Sequence, residues 1–510
     1  MTDQTLKNIT RGVSITFLQN IILTIIGVLY WVVLARLLGP EKLGVLAIGF
    51  SIVSIFGIGT LQGLQPAIVR YVAGYLKKGE ISKARSVILY SAKIKIITGL
   101  FFAILLFLLS KIIALNVYHN SELFEILRLM SVLVLINSVS SIFPSIFEGL
   151  QKFEYSLYLS TTASILNFIF VINLVLFGYG LKGAVFGLIT SAIITCIIGY
   201  IKSSQLMPKS NLNEKISIKE LLGFSVPYSV STMFYLIYEN AGNLILGYFY
   251  SPVIVGYFSF AYNIANYPTK ISYALHTGLL PSMSELHATK DRKTYEEVYL
   301  YSVKYLMILG CFVTTMVIVF SKELVLLLGG AEFLPAVILL QIMVLLNIAR
   351  IAGAPNQSLF LSIGNTSIIL KITMLKAFLE VLLYIALIPL FGAIGAAVAM
   401  VISWMIVFGV NFFAVWKIGN IKIPLHYLTN PILGICTGYL IVAMSLPVIL
   451  KVILGLGLYI ISIILTNALD LNDLKRLEKA KTGNMIFDKM VAVVLISFKK
   501  GIRLKERYYG

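Results

Sequence analysis

Ionisable and amide side chains stand at a few places inside long apolar stretches of this 510-residue chain. Glu239 is followed by Asn240 and, one helical turn on, by Asn243. At i and i+4, Glu239 and Asn243 share a helix face. Arg350 lies in the run from Asn347 to Gln357, which also holds Pro355 and Asn356. A proline there kinks a helix and frees backbone carbonyls. Lys376 and Glu380 are again i and i+4, spaced to pair with each other. Lys93 and Lys95 lie early in another apolar run, and Glu122, Glu125 and Arg128 open the next. The chemistry these groups offer is ion pairing, charge-assisted hydrogen bonding to anions, and amide hydrogen bonding to hydroxyls.

Groups for covalent chemistry are not arranged in the same way. The chain has no G-x-x-x-x-G-K-[ST], no H-E-x-x-H and no G-x-S-x-G. His119, His276, His287 and His426 are scattered. Cys196, Cys311 and Cys436 each sit in an apolar segment without paired spacing, so neither a disulfide framework nor a zinc site is indicated. No metal, cofactor or catalytic residue is expected, and the protein is not expected to be an enzyme.

The elements that hold these side chains must lie in lipid. The chain is 59% hydrophobic and 12% charged, with a mean hydropathy of +0.93. A soluble domain carries about a quarter charged residues. A helix crossing the bilayer needs roughly 20 apolar residues, and about 14 such stretches can be placed. They are 11–36, 43–63, 86–112, 122–147, 153–177, 181–201, 221–249, 253–276, 299–321, 333–360, 366–390, 392–416, 430–446 and 449–467. Continuous apolar runs also exclude an outer-membrane barrel, whose strands alternate. Pro447 makes the last pair the least distinct.

The net charge of +19 comes from 41 Lys and Arg against 22 Asp and Glu. With the N-terminus in the cytoplasm, Lys and Arg collect in the cytoplasmic loops, as the positive-inside rule requires. The loop around Arg70, Lys77, Lys78, Lys83 and Arg85 and the tail from Lys475 to Arg507 carry most of them. Both termini are therefore expected inside, which needs an even number of spans. These residues are spread over loop ends with no folded basic domain, so nucleic acid is not an expected partner. In the tail, Met485–Phe498 is apolar but too short to span. It fits an interfacial helix on anionic lipids.

The chain also repeats itself at a spacing near 212 residues. Pro40 and Gly44 match Pro252 and Gly256; Gly180, Gly183 and Ala184 match Gly392, Gly395 and Ala396. Leu89-Tyr90-Ser91 with Lys93 matches Leu300-Tyr301-Ser302 with Lys304, one residue out of step. Ser145-Ile146-Phe147 stands opposite Ser358-Leu359-Phe360. Six spans per repeat keep both repeats in one orientation, related by an axis along the membrane normal, which is an arrangement of transporters. The expected fold is an all-α polytopic membrane protein: two six-helix bundles related by a pseudo-two-fold, plus two C-terminal helices. The expected parts are a bundle at 1–203, a cytoplasmic linker at 204–220, a bundle at 221–418, two spans in 419–469 and a basic tail at 470–510.

The stretch Leu34-Ala-Arg36-Leu-Leu-Gly39-Pro40-Glu41-Lys-Leu-Gly44, continued by Ala67-Ile-Val69-Arg70-Tyr71-Val72-Ala73, resembles the opening of polysaccharide-lipid flippases. These belong to the multidrug/oligosaccharidyl-lipid/polysaccharide exporter superfamily. Leu246-Gly247-Tyr248-Phe249-Tyr-Ser251-Pro252 to Gly256-Tyr257-Phe-Ser-Phe-Ala261-Tyr262 is similar to that family's seventh-to-eighth-span signature. The resemblance covers essentially the whole chain from about residue 8. It implies a V-shaped pair of bundles that moves an oligosaccharide on an isoprenoid phosphate from the inner to the outer leaflet. The partners it implies are that lipid-linked glycan, membrane lipids, and Na+ or H+ as a coupling ion, with the protein a monomer in the plasma membrane. Many relatives carry a charged residue just before Leu-Gly-Tyr-Phe, where this chain has Gly242-Asn243, with Glu239 a turn earlier.

For such a cargo, cationic groups would meet the phosphate and amides the sugar. Arg36, Arg70, Lys93 and Arg350 are the candidates for the first role. Asn240, Asn243, Asn356 and Gln357 are candidates for the second, with Glu239 lining the same path and Lys376–Glu380 as an intramembrane ion pair. The alternatives are a cation-coupled multidrug exporter of the same superfamily, or a membrane polymerase or ligase acting on lipid-linked glycan. The absence of intramembrane aspartates counts against the former, and the short outer loops count against the latter.

Overall fold

The computed structural model describes residues 3–207, 217–444, 446–466, 468–469 and 473. Part of the expected linker, and all of the expected tail except Asp473, lie outside the described residues. The interfacial stretch Met485–Phe498 is among them. Regular structure among the described residues is helical throughout. In chain order the first elements are α1 (Asp3–Ile58), α2 (Leu64–Lys77), α3 (Ile81–Lys111), α4 (Ser121–Ser140), α5 (Ile142–Gly149), α6 (Phe153–Leu174) and α7 (Gly180–Leu206). Next come α8 (Ile218–Phe249), α9 (Pro252–Asn266), α10 (Thr269–Ala288), α11 (Arg292–Val319), α12 (Ser321–Leu328), α13 (Ala336–Met343), α14 (Leu346–Ala352) and α15 (Ala354–Ser362). The last are α16 (Thr366–Ala414), α17 (Leu425–Thr429), α18 (Leu433–Ala443) and α19 (Val448–Leu465).

Ten segments among the described residues are long and apolar enough to cross a membrane. Three helical stretches, α1 at 56 residues and Phe153–Leu206 and Thr366–Gly419 at 54 each, are long enough for two spans each. They break at glycines with positive φ: Gly39, Gly178 with Gly180, and Gly392. These breaks fall at the boundaries between the expected spans. With α9–α10 added, the segments correspond one for one to the fourteen expected spans, and α18 and α19 are separate helices on either side of Pro447. Two helical stretches went unread in the sequence. α2 carries an apolar stripe of Leu64, Ala67, Ile68 and Val72 among its charges, and α10 continues past residue 276 to Ala288.

The chain forms two compact units. The first comprises residues 1–263, 326–339 and 367–403; the second comprises 264–325, 340–366 and 404–510. In the first, α3 packs on α4, α6 on α7, and α2 on α3 and α5. Its inner core is built by Leu64, Ile68, Val87, Phe143, Ile146, Phe147 and Leu221. In the second, Met307, Cys311, Ile318, Val344, Ile348, Tyr459 and Ile463 form the core. Lipid tails are as apolar as leucine, so helices in a membrane associate through close packing rather than by exclusion of water. α3 shows this clearly: Ser91, Gly99 and Ala103 are buried, whereas Leu89, Ile96, Leu100 and Ile104 of its other face are exposed.

One contact in the first unit is reciprocal. A Cβ added at Gly44 would stand 1.7 Å from the Pro252 carbonyl oxygen, and one added at Gly256 would stand 1.9 Å from the Pro40 oxygen. The two repeat-related turns therefore touch backbone to backbone, each glycine against the other's proline. A two-fold contact has this self-complementary form.

Candidate functional site

The richest polar cluster of the first unit joins α8, α9 and α16. α8 contributes Tyr238, Glu239 and Asn243 from one stretch, so their side chains fan over adjacent faces of the helix. Glu239, half-buried, accepts a hydrogen bond from the Tyr262 hydroxyl of α9 at 2.6 Å. One turn on, Asn243 donates to Ser51 at 3.1 Å and accepts from Ser259 at 2.8 Å, tying α8 to α1 and α9. Asn240 instead donates to its own helix, at the Leu236 carbonyl.

α16 supplies the other half. Lys376 and Glu380 are 3% and 1% exposed, and their charged atoms lie 2.7 Å apart. The carboxylate also accepts from Tyr384 at 2.9 Å and from Ser403 at 3.1 Å. The Lys376 ammonium stands 3.0 Å from the centroid of the Tyr238 ring, so α8 shares the cation through its π face. Tyr384 lies against Gly242 of α8 and within electrostatic reach of Glu239 and Tyr262. The cluster thus contains two carboxylates and one ammonium, a formal charge of −1 inside apolar helices. Buried charges persist only when paired and hydrogen-bonded, and these are. Such a set can take up a proton or a monovalent cation. Among the described residues, no group of three metal-ligating side chains converges.

The other sequence candidates of this unit lie elsewhere. Arg36 is exposed and donates to the Leu327 carbonyl at 2.5 Å, near the end of α12. Arg70 is exposed on α2, with its guanidinium 4.9 Å over the Phe224 ring. Lys93 is exposed on the face of α3 that also exposes Leu89, Ile96 and Leu100. Two residues on, Lys95 is wholly buried.

In the second unit, Arg350 of α14 is half-buried. It donates to the Asn266 side chain and stacks 4.6 Å over the Trp404 ring. Asn356 of α15 is 1% exposed and accepts from Tyr299 at 2.5 Å, whereas its neighbour Gln357 is exposed. Lys304 is buried and pairs with Asp473, which also accepts from Tyr305 at 3.1 Å. Lys451 of α19 pairs with Glu323 of α12 at 2.8 Å.

The structure brings Glu239 and Asn243 of α8 near the Lys376–Glu380 pair and leaves Arg36, Arg70 and Lys93 outside that cluster. Tyr262, Tyr384 and Ser403 were not among the candidates, and Lys95 was noted only beside Lys93. Tyr384 follows Glu380 by four residues, a spacing that could have exposed it. Tyr262 is 23 residues from Glu239, and nothing local links the two.

Residues 33–338 match the family described as "Polysaccharide biosynthesis protein". The chain is 21% identical to the lipopolysaccharide biosynthesis protein WzxC of Escherichia coli, over 90% of this chain and 88% of that protein. It is 24% identical to the probable low-salt glycan biosynthesis flippase Agl15 of Haloferax volcanii, over 73% of this chain and 76% of that protein. Among solved structures, the lipid II flippase MurJ in an inward closed conformation superposes with a TM-score of 0.70 at 17% identity, covering 89% of this chain and 98% of that one. That last likeness is one of fold.

Proposed function

The chain belongs to the polysaccharide biosynthesis protein family, and from that membership we propose that it moves an oligosaccharide linked to an isoprenoid phosphate from the inner to the outer leaflet by alternating access. The observation that carries the proposal is the polar cluster of Glu239, Tyr262, Lys376, Glu380 and Tyr384 inside apolar helices. A buried charged cluster costs several kcal/mol per charge; a polar cargo or a coupling ion gives it a purpose. Two relatives whose names speak of glycan or lipopolysaccharide biosynthesis support the class of cargo.

In the first unit, Arg36, Arg70 and Lys93 serve the phosphate, and Asn240 and Asn243 the glycan. In the second, Arg350 meets phosphate and Asn356 and Gln357 meet sugar hydroxyls. Glu239 takes up the coupling ion, H+ or Na+, since Lys376 already occupies the other carboxylate. The protein works as a monomer in the cytoplasmic membrane with both termini inside, without enzymatic activity of its own. Cells depleted of it accumulate lipid-linked glycan on the cytoplasmic leaflet. A normal leaflet distribution on depletion would reject the proposal.

A further inference from the structure

Lys95 has no role in the cluster described above. It is 0% exposed, and among the described residues its ammonium nitrogen has no hydrogen-bond partner. Full burial rules out a side chain that snorkels to the membrane surface. Ser91, one turn earlier on the same face of α3, is also 0% exposed, and its hydroxyl is likewise without a partner. Across the seam, Ser138 of α4 donates to the Lys95 carbonyl at 2.8 Å, and Ser141 donates to the Ser138 carbonyl at 2.8 Å, where α4 gives way to α5. The buried residues of α3 and α4 include no carboxylate. The carboxylate on α5, Glu148, accepts from Ser156 instead. Packing does not call for an amine here. The register that sets Lys93 opposite Lys304 sets Lys95 opposite Leu306, which is buried in the second repeat as a plain hydrocarbon.

We propose that Lys95 and Ser91 form an oxyanion site in the α3–α4 seam that takes the phosphate group of an isoprenoid phosphate or, by the same chemistry, free phosphate. A buried ammonium and a buried hydroxyl one turn apart, both without a hydrogen-bond partner, are donors awaiting an acceptor with several oxygens. In this conformation the site is closed, because α3 and α4 touch where a Cβ at Gly99 would stand 2.8 Å from that of Ser138. Binding parts the seam at that stripe. The assignment of an isoprenoid lipid rests on the proposed function; the oxyanion site itself does not.

The test uses the full-length protein in detergent, with farnesyl diphosphate and inorganic pyrophosphate as probes read by thermal stabilisation. Wild type, Lys95→Met and, as a surface control on the same helix, Lys111→Met at the exposed end of α3 are compared. Farnesyl diphosphate is expected to bind wild type and Lys111→Met alike, and Lys95→Met about tenfold or more weakly, as befits a lost charge-assisted bond. Without probe, Lys95→Met should be at least as stable as wild type, since an unpaired buried charge has been removed. Equal protection of pyrophosphate and farnesyl diphosphate, both lost in Lys95→Met, supports the site with free oxyanion as its ligand. Equal binding by wild type and Lys95→Met overturns the site and leaves the flippase function standing. No binding of either probe to wild type overturns the site and counts against that function as well. A Lys95→Met protein that unfolds without probe makes the amine a packing group and also overturns it.

Discussion

Gly180 and Gly392, 212 residues apart, hold nearly the same backbone conformation: φ 52°, ψ −132° and φ 56°, ψ −135°. That region is open to glycine and closed to residues with a Cβ. Each ends the break inside a double-length helical segment, so the repeat is written in geometry as well as in letters. Gly392→Ala should lose about 1–3 kcal/mol, read as a fall in the thermal midpoint of the purified protein. An unchanged midpoint would show that the break relaxes into an ordinary conformation.

The reciprocal contact of Gly44 with Pro252 and Gly256 with Pro40 leaves no room for a methyl group on either side. Gly44→Ala should cost about 1–3 kcal/mol through overpacking. Gly57→Ala is the control, because nothing lies within 4 Å of a Cβ there. If both substitutions are equally mild, the two turns are not held in contact.

Breaking the Lys376–Glu380 pair from one side strands the other charge. Lys376→Met or Glu380→Gln alone should destabilise by about 3–5 kcal/mol, and the two combined should recover most of it. The double-mutant cycle measures this directly. Additive losses would mean that the two groups do not act as a pair.

Glu239→Gln keeps an acceptor for the Tyr262 hydroxyl, so folding and expression should be preserved. Transport measured in proteoliposomes should lose its dependence on the ion gradient. A response to the gradient as strong as that of wild type would remove Glu239 from coupling.

Arg350 stacks on Trp404 but remains half-buried. With Cys196, Cys311 and Cys436 replaced, Arg350→Cys should react with a water-soluble thiol reagent during turnover. Protection in every state would assign the guanidinium to packing against the indole.

Much of this structure was legible in the chain because the signals were local. The apolar stretches and the i, i+4 pairing of Lys376 with Glu380 depend on near neighbours. The partners of the charges were not legible. Glu239 finds Tyr262, Arg350 finds Trp404, and Lys304 finds Asp473 through tertiary packing alone. The choice between Lys93 and Lys95 was equally hidden. Two residues turn a helix by about 200°, and only the packing of α4 decides which lysine is enclosed. α2 was passed over because its charges mask a four-residue apolar stripe.

The glycine breaks at Gly39, Gly178–Gly180 and Gly392 join consecutive spans with almost no intervening loop. A protease has nothing to grip at these bends, and an inserted epitope would have to unwind a helix to be seen. Topology mapping from that side should therefore use single-residue labels, while tags fit better in the turn at Thr289–Asp291, where the backbone is exposed and already outside a helix.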